Sequence, residues 1–178
     1  EEIIAAINLS TEQLDTINGG FKGAPKFPMP NTLDYLLRYQ YHFNKPELFK
    51  YIKKSLTKMA YGGIYDQIGG GFSRYSVDNR WHIPHFEKML YDNAQLVSVY
   101  SKAYLQDKNE LYKSIVKETL DFVNDELNAN NGAFYSSLDA DSKNENNELE
   151  EGIFYTWTKQ ELKALIKDYK LFANYYNV

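Results

Sequence analysis

GGIYDQIGGGFSRYSVDNRWHIPHFEKMLYDNAQ, residues 62–95, is the stretch from which the rest of the chain is read. It holds five glycines, two of the three histidines, one of the two tryptophans, and the pair Arg74 and Asp78. Flexible, aromatic and polar residues crowded between two patterned segments mark a loop that presents side chains rather than a core segment. Phe72–Val77 and Trp81–Ile83 alternate with a period of two around Asp78-Asn79-Arg80, which predicts a hairpin. Beyond Pro84, the residues Phe86, Met89, Leu90, Asn93, Val97, Tyr100 and Tyr104 trace one face of a long helix.

Working outward, helical patterns dominate. Ser10-Thr11-Glu12-Gln13 reads as a capping box for a short helix through Leu14 and Ile17, ended by Asn18-Gly19-Gly20. Asn31 is placed to cap a helix with Leu33, Leu36, Leu37 and Tyr41 on one stripe, and Pro46 starts another with Leu48, Ile52, Leu56 and Met59. Leu111, Ile115, Val116, Phe122, Val123 and Leu127 trace the next helix. Thr158-x-x-Glu161 is a second capping box, opening a helix through Leu162, Leu165 and Ile166. Ala133–Ser137 and Ile153–Trp157 read as a second hairpin, with 138–152 a long acidic loop between them. Gly19-Gly20-Phe21, Gly70-Gly71-Phe72 and Asn131-Gly132-Ala133-Phe134 form a weak internal repeat, which suggests stacked helix pairs with their loops on one face.

Length and composition bound the function. At 178 residues with 43% hydrophobic and 25% charged residues, the chain fits one globular domain with a real core. The net charge of −4, with no basic stripe, argues against nucleic acid. No apolar run is long enough for a membrane helix and no signal-peptide pattern is seen, so a cytoplasmic location is the expectation. The absence of cysteine excludes disulfides and thiol chemistry. Sixteen tyrosines against ten phenylalanines suit a wet cavity or interface, sugar clefts included, or half-buried helix filler. Asn8-Leu9-Ser10 matches a glycosylation sequon by chance.

His82 and His85 flank Pro84, with His82 at a strand end and His85 in a first helical turn. They lack the spacing of a metalloprotease pair and a third ligand, so no metal is expected. As acid/base groups they suit chemistry near neutral pH. On a helix Asp92 lies two turns from His85 on nearly the same face, and Tyr91 one turn from Glu87. The competing reading makes Glu87 a helix-dipole partner, His85 a cap, and Arg74 with Asp78 a hairpin ion pair. Asp139 and Asp141 lie near a strand end in a run without the spacing of a calcium loop. Gly69-Gly70-Gly71 lacks the rest of a phosphate loop, and Lys26 within GAPKFP is a candidate anion contact.

The stretches GGFKGAPKFP (19–28), GGIYDQIGGGFSRYSVDNRWHIPHFEKMLYDNAQL (62–96) and GAFYSSLDADS with EGIFYTWT (132–142, 151–158) resemble the thioredoxin domain-containing family related to YyaL and to spermatogenesis-associated protein 20. The resemblance implies an (α/α)6 toroid similar to N-acylglucosamine 2-epimerases and cellobiose epimerases, preceded in the family by a thioredoxin-like domain. This chain is expected to be all-α, one domain over 1–178 forming the front half of such a toroid. Two small β-hairpins would lie on its cavity face, and the thioredoxin-like domain would be absent. Half a toroid leaves helix faces uncovered, so self-association, the missing remainder of the barrel, or marginal stability is expected. The neighbourhood implies a sugar-active protein of epimerase or isomerase type, without a cofactor. In it His85 or His82 is the acid/base, Arg74 the oxyanion or hydroxyl contact, and Asp92 the orienting group. Tyr75, Trp81 and Trp157 offer stacking faces, and Asp66, Glu87, Tyr91, Asp139 and Asp141 line the substrate site. A glycoside hydrolase pairing Asp66 with Asp139 or Asp141 is one alternative. The other is a non-catalytic scaffold that binds a protein partner or a thioredoxin-like domain.

Overall fold

A computed structural model describes residues 12–129 and 131–178. The capping box at Ser10 and the sequon at Asn8 lie outside the described residues. The chain divides into two compact units, Glu1–Asp139 and Ala140–Val178.

Among the described residues the first unit carries four helices: α1 (Pro30–Phe43), α2 (Pro46–Ala60), α3 (Leu90–Asp107) and α4 (Glu110–Glu126). Proline opens α1 and α2 at a position whose N–H has no helical partner to lose. Asn109 caps α4 by accepting a hydrogen bond from the Leu111 N–H at 3.0 Å. Leu33, Leu36 and Leu37 of α1, Ile52, Leu56 and Met59 of α2, Leu96 and Tyr100 of α3, and Tyr112 and Ile115 of α4 share one buried cluster. Fully burying each such side chain stabilises the fold by about 1.5–3 kcal/mol. The Tyr100 hydroxyl, also buried, donates to the Leu56 carbonyl at 2.7 Å, so its polar tip does not oppose its burial.

Short strands join the helices. β1 (Lys88–Met89) pairs antiparallel with β4 (Ser137–Leu138), and β2 (Asn128–Ala129) with β3 (Ala133–Phe134). In the second unit β5 (Asp141–Lys143) pairs with β6 (Leu149–Glu151), followed by α5 (Lys159–Leu165) and α6 (Tyr169–Tyr176). The capping box expected at Thr158 forms, with its hydroxyl and the Glu161 carboxylate each meeting the other's backbone N–H.

The expectation for residues 133–157 changes. Ala133–Phe134 and Ser137–Leu138 pair with different partners, and Ile153–Trp157 forms no strand. The acidic segment supplies the hairpin itself: Asn144 folds its tip by accepting from the N–H groups of Asn146 (2.9 Å) and Glu148 (3.0 Å). Leu14 and Ile17 likewise sit in a loop, with Ile17 exposed. No helix of the described residues is long and apolar enough to cross a membrane.

The internal repeat is longer than its glycines. Asp15-Thr-Ile-Asn-Gly-Gly-Phe21 and Asp66-Gln-Ile-Gly-Gly-Gly-Phe72 adopt one loop geometry. Oδ1 of Asp15 accepts from the N–H groups of Ile17 and Asn18, at 2.9 and 2.8 Å. Oδ1 of Asp66 accepts from those of Ile68 and Gly69, both at 2.9 Å. Oδ2 of each takes a buried ammonium, Lys26 at 2.7 Å and Lys88 at 2.8 Å. Each ammonium also faces an aromatic ring, Trp81 and Phe122 respectively. The last glycine of each loop, Gly20 or Gly71, has a positive φ and lies against that same ring, where a Cβ would overlap it.

Candidate functional site

The hairpin expected at 72–83 forms as an irregular ribbon of three segments. Ser76 bridges Lys26 on one side and Pro84 on the other, and the Val77 N–H donates to the Ile83 carbonyl at 2.8 Å. Asp78 builds its turn, accepting from the N–H groups of Arg80 (2.5 Å), His82 (3.1 Å) and Ile83 (2.6 Å) and from the Ser76 hydroxyl (3.2 Å). Burial pushes its carboxyl up, and these donors outweigh that and hold it below the usual range. Asp78 is therefore the turn's anchor.

The ribbon runs on past Pro84, and α3 starts at Leu90. His85 and Glu87 thus lie on non-helical backbone, where the Glu87 N–H turns back to the His85 carbonyl, and not in a first helical turn. Pairing explains the change: the His85 N–H donates to the Tyr75 carbonyl at 3.0 Å, the Arg74 N–H to the Glu87 carbonyl at 2.8 Å, and Lys88 and Met89 pair with β4. Proline at 84 also disfavours helical backbone at the residue before it.

The ribbon and the first turn of α3 carry six of the expected site residues, in two groups: Tyr75 with His85, and Arg74 with Glu87, Tyr91 and Asp92. Tyr75 is the middle of a cross-strand row, its ring 4.9 Å from Phe27 and 4.5 Å from the nearly parallel imidazole of His85. Its two ring faces are thereby taken, so it offers no free face for a sugar. Arg74 pairs with Glu87 (Nη1–Oε2 3.1 Å). Tyr91 and Asp92, in the first turn of α3, interact electrostatically with that pair. Asp92 is only 8% exposed, and no hydrogen bond reaches its Oδ2. Burial pushes its carboxyl up to about 6; Arg74 opposes the rise and Glu87 adds to it. Asn93, next along the helix, clamps the loop: its Oδ1 accepts from the Phe72 N–H at 2.7 Å and its Nδ2 donates to the Phe72 and Met89 carbonyls.

The other expected residues lie elsewhere. Trp81 is fully buried with its Nε1–H donating to the Asn18 carbonyl at 3.0 Å, so it is a core residue and not a stacking platform. Lys26, considered as an anion contact, is buried against Asp15, the Asn79 carbonyl and Trp81. Asp66 is committed to Lys88 and to its own turn; burial pushes its carboxyl up, and the ammonium and two backbone N–H groups bring it net below the ordinary value. His82 is exposed in the turn, its backbone held by Asp78. Asp139 is exposed, and the β1–β4 register continued by one residue sets it opposite Glu87. Asp141 and Trp157 belong to the second unit, where both are exposed. Sequence reasoning missed Asn93 and Lys88 as the groups that fix the ribbon. The Asp-x-Ile-x-Gly-Gly-Phe repeat was the available signal, because two identical turn anchors call for two buried cations.

No protein-family model matches the chain. Over 162 residues it is 41% identical to human spermatogenesis-associated protein 20, an alignment covering 88% of this chain and 21% of that protein. Over 181 residues it is 39% identical to an uncharacterised protein of Caenorhabditis elegans, covering 96% of this chain and 25% of that protein. The chain thus spans about a fifth to a quarter of the length of the curated relatives it matches. Among solved structures, a sugar epimerase from a ruminal bacterium superposes on 75% of this chain and 37% of its own (TM-score 0.66, 16% identity). The cellobiose 2-epimerase of Spirochaeta thermophila covers 75% of this chain and 36% of its own (TM-score 0.65, 20% identity). An unsaturated glucuronyl hydrolase specific for heparin covers 74% and 40% (TM-score 0.58, 14% identity). Helix pairs with small antiparallel strands thus match a portion of the (α/α)6 toroid of these epimerases. Over the segment they share, the chain is a homologue of spermatogenesis-associated protein 20.

Proposed function

We propose that the cluster of Arg74, His85, Glu87, Tyr91 and Asp92 is the ligand face of a sugar-active toroid of epimerase or isomerase type. One observation carries this reading: the Arg74–Glu87 ion pair meets the buried Asp92 carboxyl, which has no hydrogen-bond partner on Oδ2, where the ribbon that also bears His85 runs into α3, on a fold shared with sugar epimerases. Epimerisation beside a carbonyl needs a group to move a proton and a group to steady the developing oxyanion. His85 fits the first role, and Arg74 the second. The glycoside hydrolase alternative loses ground, because Asp66 is already saturated by Lys88 and its turn.

The test is turnover by the full-length protein on a panel of reducing mono- and disaccharides. His85→Ala and Arg74→Ala are expected to abolish turnover or binding with an unchanged melt. Arg74 is partly exposed, so loss of its pair alone should barely move the melt. If both variants keep their activity, or lose only stability, the ribbon is structural.

That outcome would favour the scaffold reading. The conversion of Trp81, Lys26 and Asp66 from ligand contacts into core and turn anchors supports it.

A further inference from the structure

Asp92 has a place that its helix does not require. It stands in the first turn of α3, yet the helix N-terminus has no side-chain cap, and Oδ2 is buried without a hydrogen-bond partner. Buried polar atoms almost always find a partner, and leaving one without is costly, so an orphan in a native fold marks a contact still to be made. The charge around it limits what that contact is. From the ribbon, Arg74 and Glu87 face it, and they are committed to each other at 3.1 Å; Tyr91 adjoins it on its own helix. With Arg74 already paired to Glu87, a further negative charge beside Asp92 finds no uncommitted cation, although a helix N-terminus by itself would attract one. A carboxyl in such surroundings holds its proton to a higher pH than an ordinary one, and below about 6 it is a donor, as buried acids in apolar or acidic sites are.

We propose that Asp92 is the ligand-facing hydrogen-bond donor of this site, a carboxylic acid whose O–H addresses an uncharged ligand oxygen. It follows that neutral polyhydroxylated ligands are taken in preference to sugar acids and sugar phosphates. The proposal rests on the sugar-active reading above and gives Asp92 direct contact with the ligand in place of an orienting role behind His85.

The experiment uses the full-length protein with its aspartate side-chain carboxyls labelled with carbon-13. Cellobiose, D-mannose, D-glucuronate and D-mannose 6-phosphate are titrated in turn, followed by carboxyl chemical shift and by calorimetry at pH 5.5 and 8. The expected result is that a neutral sugar moves the Asp92 resonance and binds more weakly at pH 8, while the two anionic sugars bind more weakly at both. Asp92→Asn keeps a donor and should bind within about threefold of the parent without the pH dependence, whereas the near-isosteric Asp92→Leu should lose about tenfold or more. Neutral sugars that bind without moving the Asp92 resonance, or anionic sugars that bind as well, overturn the proposal and leave the sugar-active reading standing. No binding by any of the four overturns both. The wild-type resonance decides the matter even if a variant fails to fold.

Discussion

At pH 8 the Asp92 carboxyl is charged in a place where burial and the neighbouring Glu87 both oppose the charge. Its folded-state pKa, about 6, lies above the ordinary 3.8. The folded protein therefore holds the proton longer than the unfolded chain does, and stability falls as pH rises from about 4 through about 6. The full penalty is at most about 3 kcal/mol. Asp92→Asn should accordingly be more stable than the parent at pH 8, by about 1–3 kcal/mol, with the difference vanishing near pH 4. Urea titrations at the two pH values measure this directly, and equal midpoints at pH 8 would show that the carboxyl is not under strain. Asp15 has the opposite sign. Burial raises its carboxyl, but Lys26, Asn18 and the Ile17 N–H bring it well below the usual range. Its stabilising contribution is present above about pH 4 and is lost as pH falls through the depressed pKa. Lys26→Met strands that carboxylate and should cost about 3–5 kcal/mol at pH 7, while flattening the acid limb of the stability profile.

The elements were unequally legible. Amphipathic stripes marked α1 to α4 because each buries one face against a shared core, which the spacing of Leu33, Leu36 and Leu37 or of Ile52, Leu56 and Met59 expresses directly. Phe86–Met89 carries the same spacing but is not helical, since Arg74, Tyr75 and β4 offer it strand partners that no local pattern reveals. Site residues divided in the same way. Arg74, Tyr75, His85 and Glu87 share one ribbon, with Tyr91 and Asp92 in the helical turn after it, because they lie close in sequence. Trp81 and Lys26 were misplaced because their partners, Asn18 and Asp15 with Asn79, are distant from them or hidden in a turn. The Asn93 clamp is testable at this scale. Asn93→Ala leaves the buried Phe72 N–H unpaired, together with the carbonyls it serves, and should destabilise by about 2–4 kcal/mol in calorimetric melts. Gly71→Ala places a methyl group against the Phe122 ring at a positive φ and should cost at least about 2 kcal/mol by the same measurement. A neutral result at either position would mean that the ribbon is not held as described.

On the scale of the whole molecule, the buried cluster draws on α1 to α4 and the loops between them, whereas α5 and α6 bury no side chain. Hydrogen exchange should therefore release the amides of α5 and α6 well before those of α2 and α3, and simultaneous exchange would contradict that ordering. Tyr35, Tyr41 and Phe43 of α1 stand largely exposed, which fits the expectation that this chain by itself self-associates; light scattering across a concentration series tests it. The two buried ammonium groups have a further consequence. Lys26 pairs in backbone with the centre of the ribbon and Lys88 ends it, so the segment bearing Arg74, Tyr75, His85 and Glu87 is pinned at both flanks before anything arrives. A surface fixed in advance has little ordering entropy left to lose on capture. Ligand uptake should then be a single kinetic phase whose rate rises linearly with concentration, with no slow closing step behind it.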